Sequence, residues 1–169
     1  MGSGISGNYG GGSQPYAPTY NVVREQLDRD KRDPTIYNPK TGYFKNPTAT
    51  HIDSAIRGNR ILIDGKRPSG PITYVLDNNG NLIIGKRLNP YNSTSRAPHP
   101  TLIGGKNPEV QCAGMIRFSD GRILSANANS GHFRPNKLSL DKVNAVLDRL
   151  YEKNPYLFDR RSRWRKKHD

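Results

Sequence analysis

The chain has one cysteine, Cys112, among its 169 residues, and this scarcity excludes two classes of protein. A lone thiol can form neither an intramolecular disulfide framework nor a zinc site with several cysteine ligands. Cys112 lies in an apolar, strand-like run, which favours a buried structural thiol over a nucleophile. The sequence also lacks a Walker loop and an HExxH motif, so phosphate-loop and zinc-protease chemistry are not predicted.

Long apolar runs are absent as well. Hydrophobic residues make up 33% of the chain, and no run approaches the roughly 20 residues that span a bilayer. The first eighteen residues are rich in Gly, Ser, Asn and Tyr and do not follow the basic, apolar and small-residue order of a signal peptide. We therefore expect no membrane segment and no signal peptide.

Acidic residues are scarce relative to basic ones, with 14 Asp and Glu against 27 Lys and Arg, a net charge of +13. An excess of this size predicts an anionic partner rather than a particular fold. Nucleic acid is the first candidate, an acidic protein the second and an anionic membrane the third.

The composition divides the chain into three parts. Residues 1–20 are low-complexity and predict a flexible Gly-rich linker, residues 21–158 predict one compact domain, and residues 159–169 predict a basic tail. The tail is predicted to bind nucleic acid, with phosphates on its cations and a base stacked on the indole. These residues are Arg160, Arg161, Arg163, Trp164, Arg165, Lys166 and Lys167.

The predicted fold class is α+β: short N-terminal helices, then an antiparallel β-meander packed against a C-terminal amphipathic helix. Helices are predicted within 20–32 and over 51–57, the second ended by Gly58. Hairpins are predicted at the Asp77–Gly80 and Ser119–Gly121 turns, and a strand over 101–103. After Ser139, apolar residues recur at helical spacing to Leu150 and predict the C-terminal helix.

Two histidines lie among residue types that suit chemistry on an anion. His99 precedes Thr101 and the glycine pair Gly104 and Gly105, where backbone amides and a hydroxyl could hold a ribose. The only glutamate between Glu25 and Glu152 is Glu109, which makes it the sole central candidate for orienting that ribose. We therefore assign these glycines and Glu109 to cofactor binding. The alternative is that His99 is a structural loop histidine and Glu109 is simply solvated.

The second histidine, His132, follows Ser130 and Gly131 and precedes Phe133, Arg134 and Pro135. Glycine permits a tight bend and proline stiffens the exit, so the imidazole is expected to be held rigidly beside a guanidinium. The candidate catalytic residues are His99, Thr101, Ser130, His132 and Arg134, with no metal ligands. The alternative is a buried histidine that braces the turn.

The sequence resembles a known module in three runs. They are His-Pro-Thr-Leu-Ile-Gly-Gly from His99, Cys-Ala-Gly-Met-Ile from Cys112 and Ser-Gly-His-Phe-Arg-Pro from Ser130. The module occurs in C-terminal toxin domains of bacterial polymorphic toxins of the Rhs and contact-dependent kind. A similar block occurs in plant IQ-motif calmodulin-binding proteins. The likeness covers about residues 72–150, with Phe133 where tyrosine is usual and Pro100 where serine is usual. It implies an effector released from a larger polypeptide.

Three hypotheses remain open. The first is an antibacterial toxin related to ADP-ribosyltransferases that transfers ADP-ribose from NAD to structured RNA, although no Glu-x-Glu pair supports it. The second is a metal-independent ribonuclease with His99 and His132 as base and acid. The third is a non-catalytic basic domain that binds nucleic acid.

The resemblance also implies a biological setting in interbacterial competition. We expect secretion by a dedicated machine, such as a type VI system, without a signal peptide, and action in the cytoplasm of the target cell. The expected partners are RNA and an acidic cognate immunity protein that matches the positive charge.

Overall fold

The computed structural model describes residues 19–89 and 92–166. Within those ranges the helices are α1 (Arg24–Asp30), α2 (Leu140–Lys153) and α3 (Arg163–Lys166). Single 3-10 turns cover Ile52–Ala55, His99–Leu102, Lys137–Ser139 and Pro155–Leu157. The strands are β1 (Tyr20–Asn21), β2 (Tyr37–Asn38), β3 (Gly42–Tyr43), β4 (Thr50–His51), β5 (Ile56–Arg57), β6 (Arg60–Ile61), β7 (Gly70–Leu76), β8 (Leu82–Gly85), β9 (Leu88–Asn89), β10 (Asn92–Arg96), β11 (Glu109–Val110), β12 (Cys112–Ser119) and β13 (Arg122–Ala126).

The central sheet has five strands in the order β13-β12-β7-β8-β4, and every neighbouring pair is antiparallel. Both predicted hairpins form because their turns carry the required residues. Asp77 accepts hydrogen bonds from the backbone N–H groups of Asn79 and Asn81, and Gly80 takes the positive φ that closes the β7–β8 turn. Asp120 and Gly121 both have positive φ, as a tight β12–β13 turn demands.

One face of the sheet packs against α2. Strand residues such as Ile116 and Ile123 are fully buried there, together with Val143 and Leu147 from the helix. This packing confirms the α+β class and the prediction that an amphipathic helix covers the apolar face of the meander.

The opposite face is only partly covered. A smaller cluster packs over its far end, where Val75 and Ala113 meet Leu102, Val110 and Phe133. Within residues 19–89 and 92–166, nothing comparable covers the remaining part of this face, which forms the floor of a cleft. The second face therefore positions the candidate site.

Two local predictions are wrong. In place of a helix over 51–57, the chain forms β4, the 3-10 turn Ile52–Ala55 and a β5–β6 hairpin that turns at Gly58. The spacing of the buried Ile52 and Ala55 fits a 3-10 turn as well as an α-helix. The predicted strand over 101–103 is instead the 3-10 turn His99–Leu102, which begins with Pro100 near its first position and therefore suits a helical start.

The basic C-terminal segment is not a free tail over its described length. Trp164 is 5% exposed, its ring lies 4.8 Å from that of Phe158, and its Nε1 donates to Asp148 Oδ1 at 2.8 Å. The compact unit thus continues past residue 158 to at least residue 166. Most of the predicted linker, residues 1–18, lies outside the described residues, as does Lys167. None of the helices in the described part of the chain is both long and apolar enough to cross a membrane.

Candidate functional site

A cleft of about 910 Å³ lies over the open part of the second sheet face. Side chains at alternate positions of neighbouring strands form its floor, among them Thr73, Met115 and Arg117. His99 and His132 both line this cleft, so the fold brings the two predicted histidines to one site. The remaining lining residues are Pro71, Ile72, Lys86, Arg87, Leu88, Arg96, Ala97, Pro98, Ser125, Asn127, Asn129 and Gly131.

The cleft is electropositive. Four cationic residues line it, namely Lys86, Arg87, Arg96 and Arg117, and no Asp or Glu is among its described lining residues. Two of them are partly neutralised: the Nζ of Lys86 lies 3.2 Å from Asp64 Oδ2 at the surface, and the guanidinium of Arg96 lies 3.4 Å from Asp30 Oδ1 behind the lining. A concave site with this charge balance favours an anionic ligand such as a phosphate diester.

His132 is fixed from two directions. Its carbonyl oxygen accepts a hydrogen bond from the backbone N–H of Val23 at 2.7 Å, and its Nε2 lies 2.9 Å from Oδ2 of Asp30. With Asp30 ionised, Nε2 carries the proton and donates to the carboxylate, so in the neutral ring Nδ1 is the basic nitrogen. No described side chain or backbone group forms a hydrogen bond with Nδ1.

Asp30 is completely buried at the end of α1 and is the centre of this arrangement. Its Oδ2 also accepts from the Tyr43 hydroxyl at 2.8 Å, and its Oδ1 lies 3.4 Å from the guanidinium of Arg96. Burial alone would raise the pKa of Asp30, but the hydrogen bonds from His132 and Tyr43, with the charges of His132 and Arg96, lower it overall. Asp30 is therefore held as a carboxylate behind the imidazole.

His99 is bound differently, because both of its ring nitrogens have protein partners. Nε2 donates to the carbonyl oxygen of Gly114 at 2.8 Å, and Nδ1 accepts from the Ser130 hydroxyl at 3.2 Å. Burial is the main cause that lowers its pKa to about 4, the charges of His132 and Arg87 act the same way, and the Gly114 bond only partly opposes them. His99 is consequently neutral at pH 7, and its ring connects strand β12 to the segment that carries Ser130. Both ring nitrogens of His99 are thus occupied in this arrangement, and its assignment as a proton-transfer or ribose-binding residue stays a prediction.

Two other predicted catalytic residues, Ser130 and Thr101, are not among the described residues that line the cleft. Ser130 Oγ accepts from the backbone N–H of Phe133 at 3.2 Å while it donates to His99. Thr101 is buried, and its hydroxyl donates to the carbonyl of Pro98 at 2.7 Å. Both hydroxyls thus satisfy backbone groups.

Arg134 also lies outside the cleft lining. It adopts a positive φ of 47°, and its side chain pairs with Glu25 at 3.3 Å on the exposed surface. The guanidinium therefore contacts α1 in this structure, and the prediction that it clamps an anion beside His132 is not supported by its position.

The predicted cofactor-binding residues are not brought to the cleft. The carbonyl oxygen of Gly105 accepts from the backbone N–H of Tyr43, and a Cβ on Gly42 would lie 2.5 Å from Gly105, so this close backbone approach serves chain packing. Gly104 is part of the same turn, where its N–H donates to the Pro100 carbonyl.

Glu109 lies in β11, which pairs with β1, and its exposed carboxylate accepts from Asn78 Nδ2 at 2.6 Å. It is not among the described residues of the cleft lining. Its assignment to a bound ribose in this cleft is thus contradicted by its position.

The C-terminal cations have separate surroundings. Arg160, Arg161 and Lys166 line a second concave site of about 400 Å³, with Arg122 and Asp159. Arg163 lies over the Trp164 ring at 4.0 Å, and Arg165 donates to the carbonyl of Phe158. Because the indole is buried, the prediction that a base stacks on it is wrong.

The remaining special residue is Cys112, which is fully buried as expected. Its Sγ lies 3.4 Å from the hydroxyl of Tyr74, and burial raises the pKa of the thiol. It is a core residue without nucleophilic character.

Sequence reasoning missed Asp30, Tyr43 and Arg96. Asp30 is 102 residues from His132 and stands in a run of alternating charges that is typical of a solvated helix end. No local signal in the sequence distinguishes it from its charged neighbours.

Comparisons with known proteins give no further evidence on the role of this site. The chain matches no family model, and no similar protein is found among curated sequences or among solved structures.

Proposed function

We propose that this chain is an RNA-cleaving toxin domain in which His132, oriented by Asp30, acts as the general base. The observation that carries the proposal is the His132–Asp30 pair. His132 lines a cleft whose described lining has four cations and no carboxylate, and Asp30 lies behind that lining. A carboxylate behind a histidine fixes its tautomer and stabilises the imidazolium that forms during proton transfer. Of the two histidines, only His132 has this arrangement.

The proposed step is cleavage through the neighbouring ribose hydroxyl. Nδ1 of His132 takes the proton of the 2′-hydroxyl, and the 2′-oxygen forms a bond to the adjacent phosphorus. The bond from phosphorus to the 5′-oxygen breaks, and that oxygen takes a proton from solvent. The products are a 2′,3′-cyclic phosphate and a 5′-hydroxyl, and the step requires no metal ion.

The cations of the cleft have a distinct part in this step. Negative charge accumulates on the phosphorane oxygens as the 2′-oxygen attacks, and preorganised donors at that place lower the barrier. Arg96 is suited to this role because it lines the cleft and contacts Asp30 Oδ1 at 3.4 Å, which links the base to the anion-binding wall.

ADP-ribosyl transfer from NAD to RNA stays a prediction of the resemblance, and the geometry favours it less. Transfer of that kind relies on a carboxylate that orients the ribose, and Glu109 lies away from the cleft lining. An acidic immunity protein that covers the cationic cleft remains our proposed protein partner.

The deciding assay is incubation of the purified protein with total RNA in EDTA, without NAD. We expect new ends that carry 2′,3′-cyclic phosphate and 5′-hydroxyl groups. His132→Gln should abolish them, whereas His51→Gln, which changes an exposed histidine elsewhere, should cleave normally.

If RNA stays intact in EDTA and the protein instead transfers label from NAD to RNA, the transferase hypothesis would replace the nuclease proposal. Intact RNA in both conditions, with RNA binding unaffected by His132→Gln, would favour the non-catalytic binding domain.

A further inference from the structure

We propose that one single strand of RNA runs from the catalytic cleft along the β12–β13 hairpin into the second cationic site formed by Arg122, Arg160, Arg161 and Lys166. This inference rests on the proposed function for the identity of the strand. The cationic surface that joins the two sites does not depend on any catalytic step.

The first argument is the register of the hairpin. Arg117 pairs with Ser125, and Ser119 pairs with Arg122. The register shifts by one residue between these pairs, and this bulge offsets the odd spacing of Arg122 and Ser125, so the four side chains lie on the same face of the two strands. Arg117 and Ser125 line the catalytic cleft, whereas Arg122 lines the second site. Arg117 and Ser119 are two positions apart along β12, which separates their backbones by about 7 Å. The two sites are therefore neighbours along one ribbon.

A direct contact joins the β12–β13 hairpin to the C-terminal segment. The Arg161 guanidinium donates to Ser119 Oγ at 3.1 Å and also binds Asp159, with Nε 2.9 Å from Oδ1. The hydrogen bond from Arg161 is the main cause that lowers the pKa of Asp159, so this carboxylate stays charged and neutralises one guanidinium. Arg161 thus acts as a bridge between the hairpin and the C-terminal segment.

The charge balance of the second site nevertheless remains positive. Its described lining has four cations and one carboxylate, and the Arg161–Asp159 pair leaves Arg122, Arg160 and Lys166 uncompensated within it. Asp120, at the tip of the same hairpin, is itself held by Arg67 at 3.2 Å and Arg60 at 3.7 Å. Cations consequently predominate from the cleft to the C-terminal segment.

The chemistry of the lining indicates the kind of strand. Neither site has a Phe, Tyr or Trp among its described lining residues, whereas both are rich in cations that can contact phosphates. We call the path from the cleft along the hairpin to the second site the RNA track. Contacts between its cations and the RNA phosphates should dominate binding there, so the affinity should depend strongly on salt and weakly on sequence. A single strand fits better than a duplex, because attack in line with the 5′-oxygen needs a backbone that can leave A-form geometry.

The test uses RNA with 2′-O-methyl groups, which cannot be cleaved, and measures its binding by fluorescence anisotropy. The variant Arg160→Gln/Lys166→Gln removes two cations from the second site and keeps the Arg161 bridge. The matched control, Lys142→Gln/Arg149→Gln, removes the same charge from the exposed side of α2, which packs on the other sheet face.

Each phosphate contact contributes a slope of about 0.7 to the salt dependence of single-strand binding, so two contacts contribute about 1.4. At 0.1 M salt this corresponds to about a 25-fold loss of affinity for a twelve-nucleotide strand in the second-site variant. A nucleoside 3′-monophosphate, which carries a single phosphate and cannot contact both sites at once, should bind the variant as it binds the wild type. Thermal unfolding of both variants should match the wild type.

Equal losses in the variant and the control would overturn the track, even if RNA cleavage is intact. A wild type that binds the long strand with the expected salt slope but does not cut unmodified RNA would overturn the proposed function and leave the track standing. Binding of polyglutamate in preference to RNA would assign the surface to an acidic protein and also overturn the track.

Discussion

Acidification below pH 6.5 should destabilise this protein mainly through His99. In the folded state the ring is buried between the Gly114 carbonyl and the Ser130 hydroxyl, and its pKa lies at about 4 against an ordinary value of 6.5. The unfolded chain therefore binds a proton between these two values while the folded chain does not. Proton uptake by the unfolded state lowers the free energy of unfolding as the pH falls.

The magnitude follows from the two pKa values. A pKa difference of one corresponds to about 1.4 kcal/mol, so the full effect of His99 is about 3 kcal/mol, with a slope of at most about 1.4 kcal/mol per pH unit. The stabilisation is complete above pH 6.5 and is lost as the pH falls toward 4, with about 2.5 kcal/mol gone by pH 4.5. Asp30 acts in a lower window: its folded pKa lies below 3.8, so its contribution persists above that pH and is lost only below it.

The assay is urea unfolding at several pH values between 7 and 4.5, for the wild type and for His99→Gln. Glutamine keeps an amide that can donate to the Gly114 carbonyl but takes up no proton in this range. We expect the variant to lose about 2.5 kcal/mol less than the wild type over the interval. Parallel curves would refute the reasoning, as would an imidazole of His99 that titrates near pH 6.5 in the folded protein by NMR.

Three further predictions concern other parts of the fold. Asp30→Asn keeps the shape but removes the charge behind His132, so initial rates of RNA cleavage should fall by about 10²- to 10⁴-fold, and a normal rate would contradict the pairing. Trp164→Ala should cost about 3–5 kcal/mol in urea unfolding, whereas an exposed stacking residue would cost almost nothing. Gly114→Ala should cost at least about 1–3 kcal/mol by the same measurement, because its Cβ would overlap the backbone carbonyl of Asn127; an unchanged unfolding curve would show that the strand can shift.

Local chemistry made the sheet and the long helix predictable. The Asp77–Gly80 turn supplies its own side-chain hydrogen bonds and a glycine where φ is positive, so the hairpin is specified by a few adjacent residues. The apolar spacing in α2 likewise identifies its buried face without any knowledge of what it packs against. These signals depend on neighbours in the chain, and they were confirmed.

Features that depend on distant residues were not predictable in the same way. The apolar spacing over 51–57 suits a helix, yet pairing of Ile56 with Ile61 draws part of this segment into a hairpin. Trp164 stands in a run of cations that looks solvated, but its ring completes the core beside Phe158. In each case a tertiary contact decided between local structures that the sequence left equivalent.

The two cleft histidines show why identity and location do not fix chemical role. Both rings are more than nine-tenths buried and both line the same cavity, so a symmetric acid–base pair is the natural hypothesis from the sequence. What separates them is the partner of each ring. A carbonyl and a hydroxyl occupy both nitrogens of His99 and do not stabilise its charged form enough to offset burial. His132 instead faces a buried carboxylate, which orients one nitrogen and can stabilise the imidazolium that a proton-transfer step creates. The proton transfer that we propose for His132 and the structural contacts of His99 thus follow from similar burial with different partners.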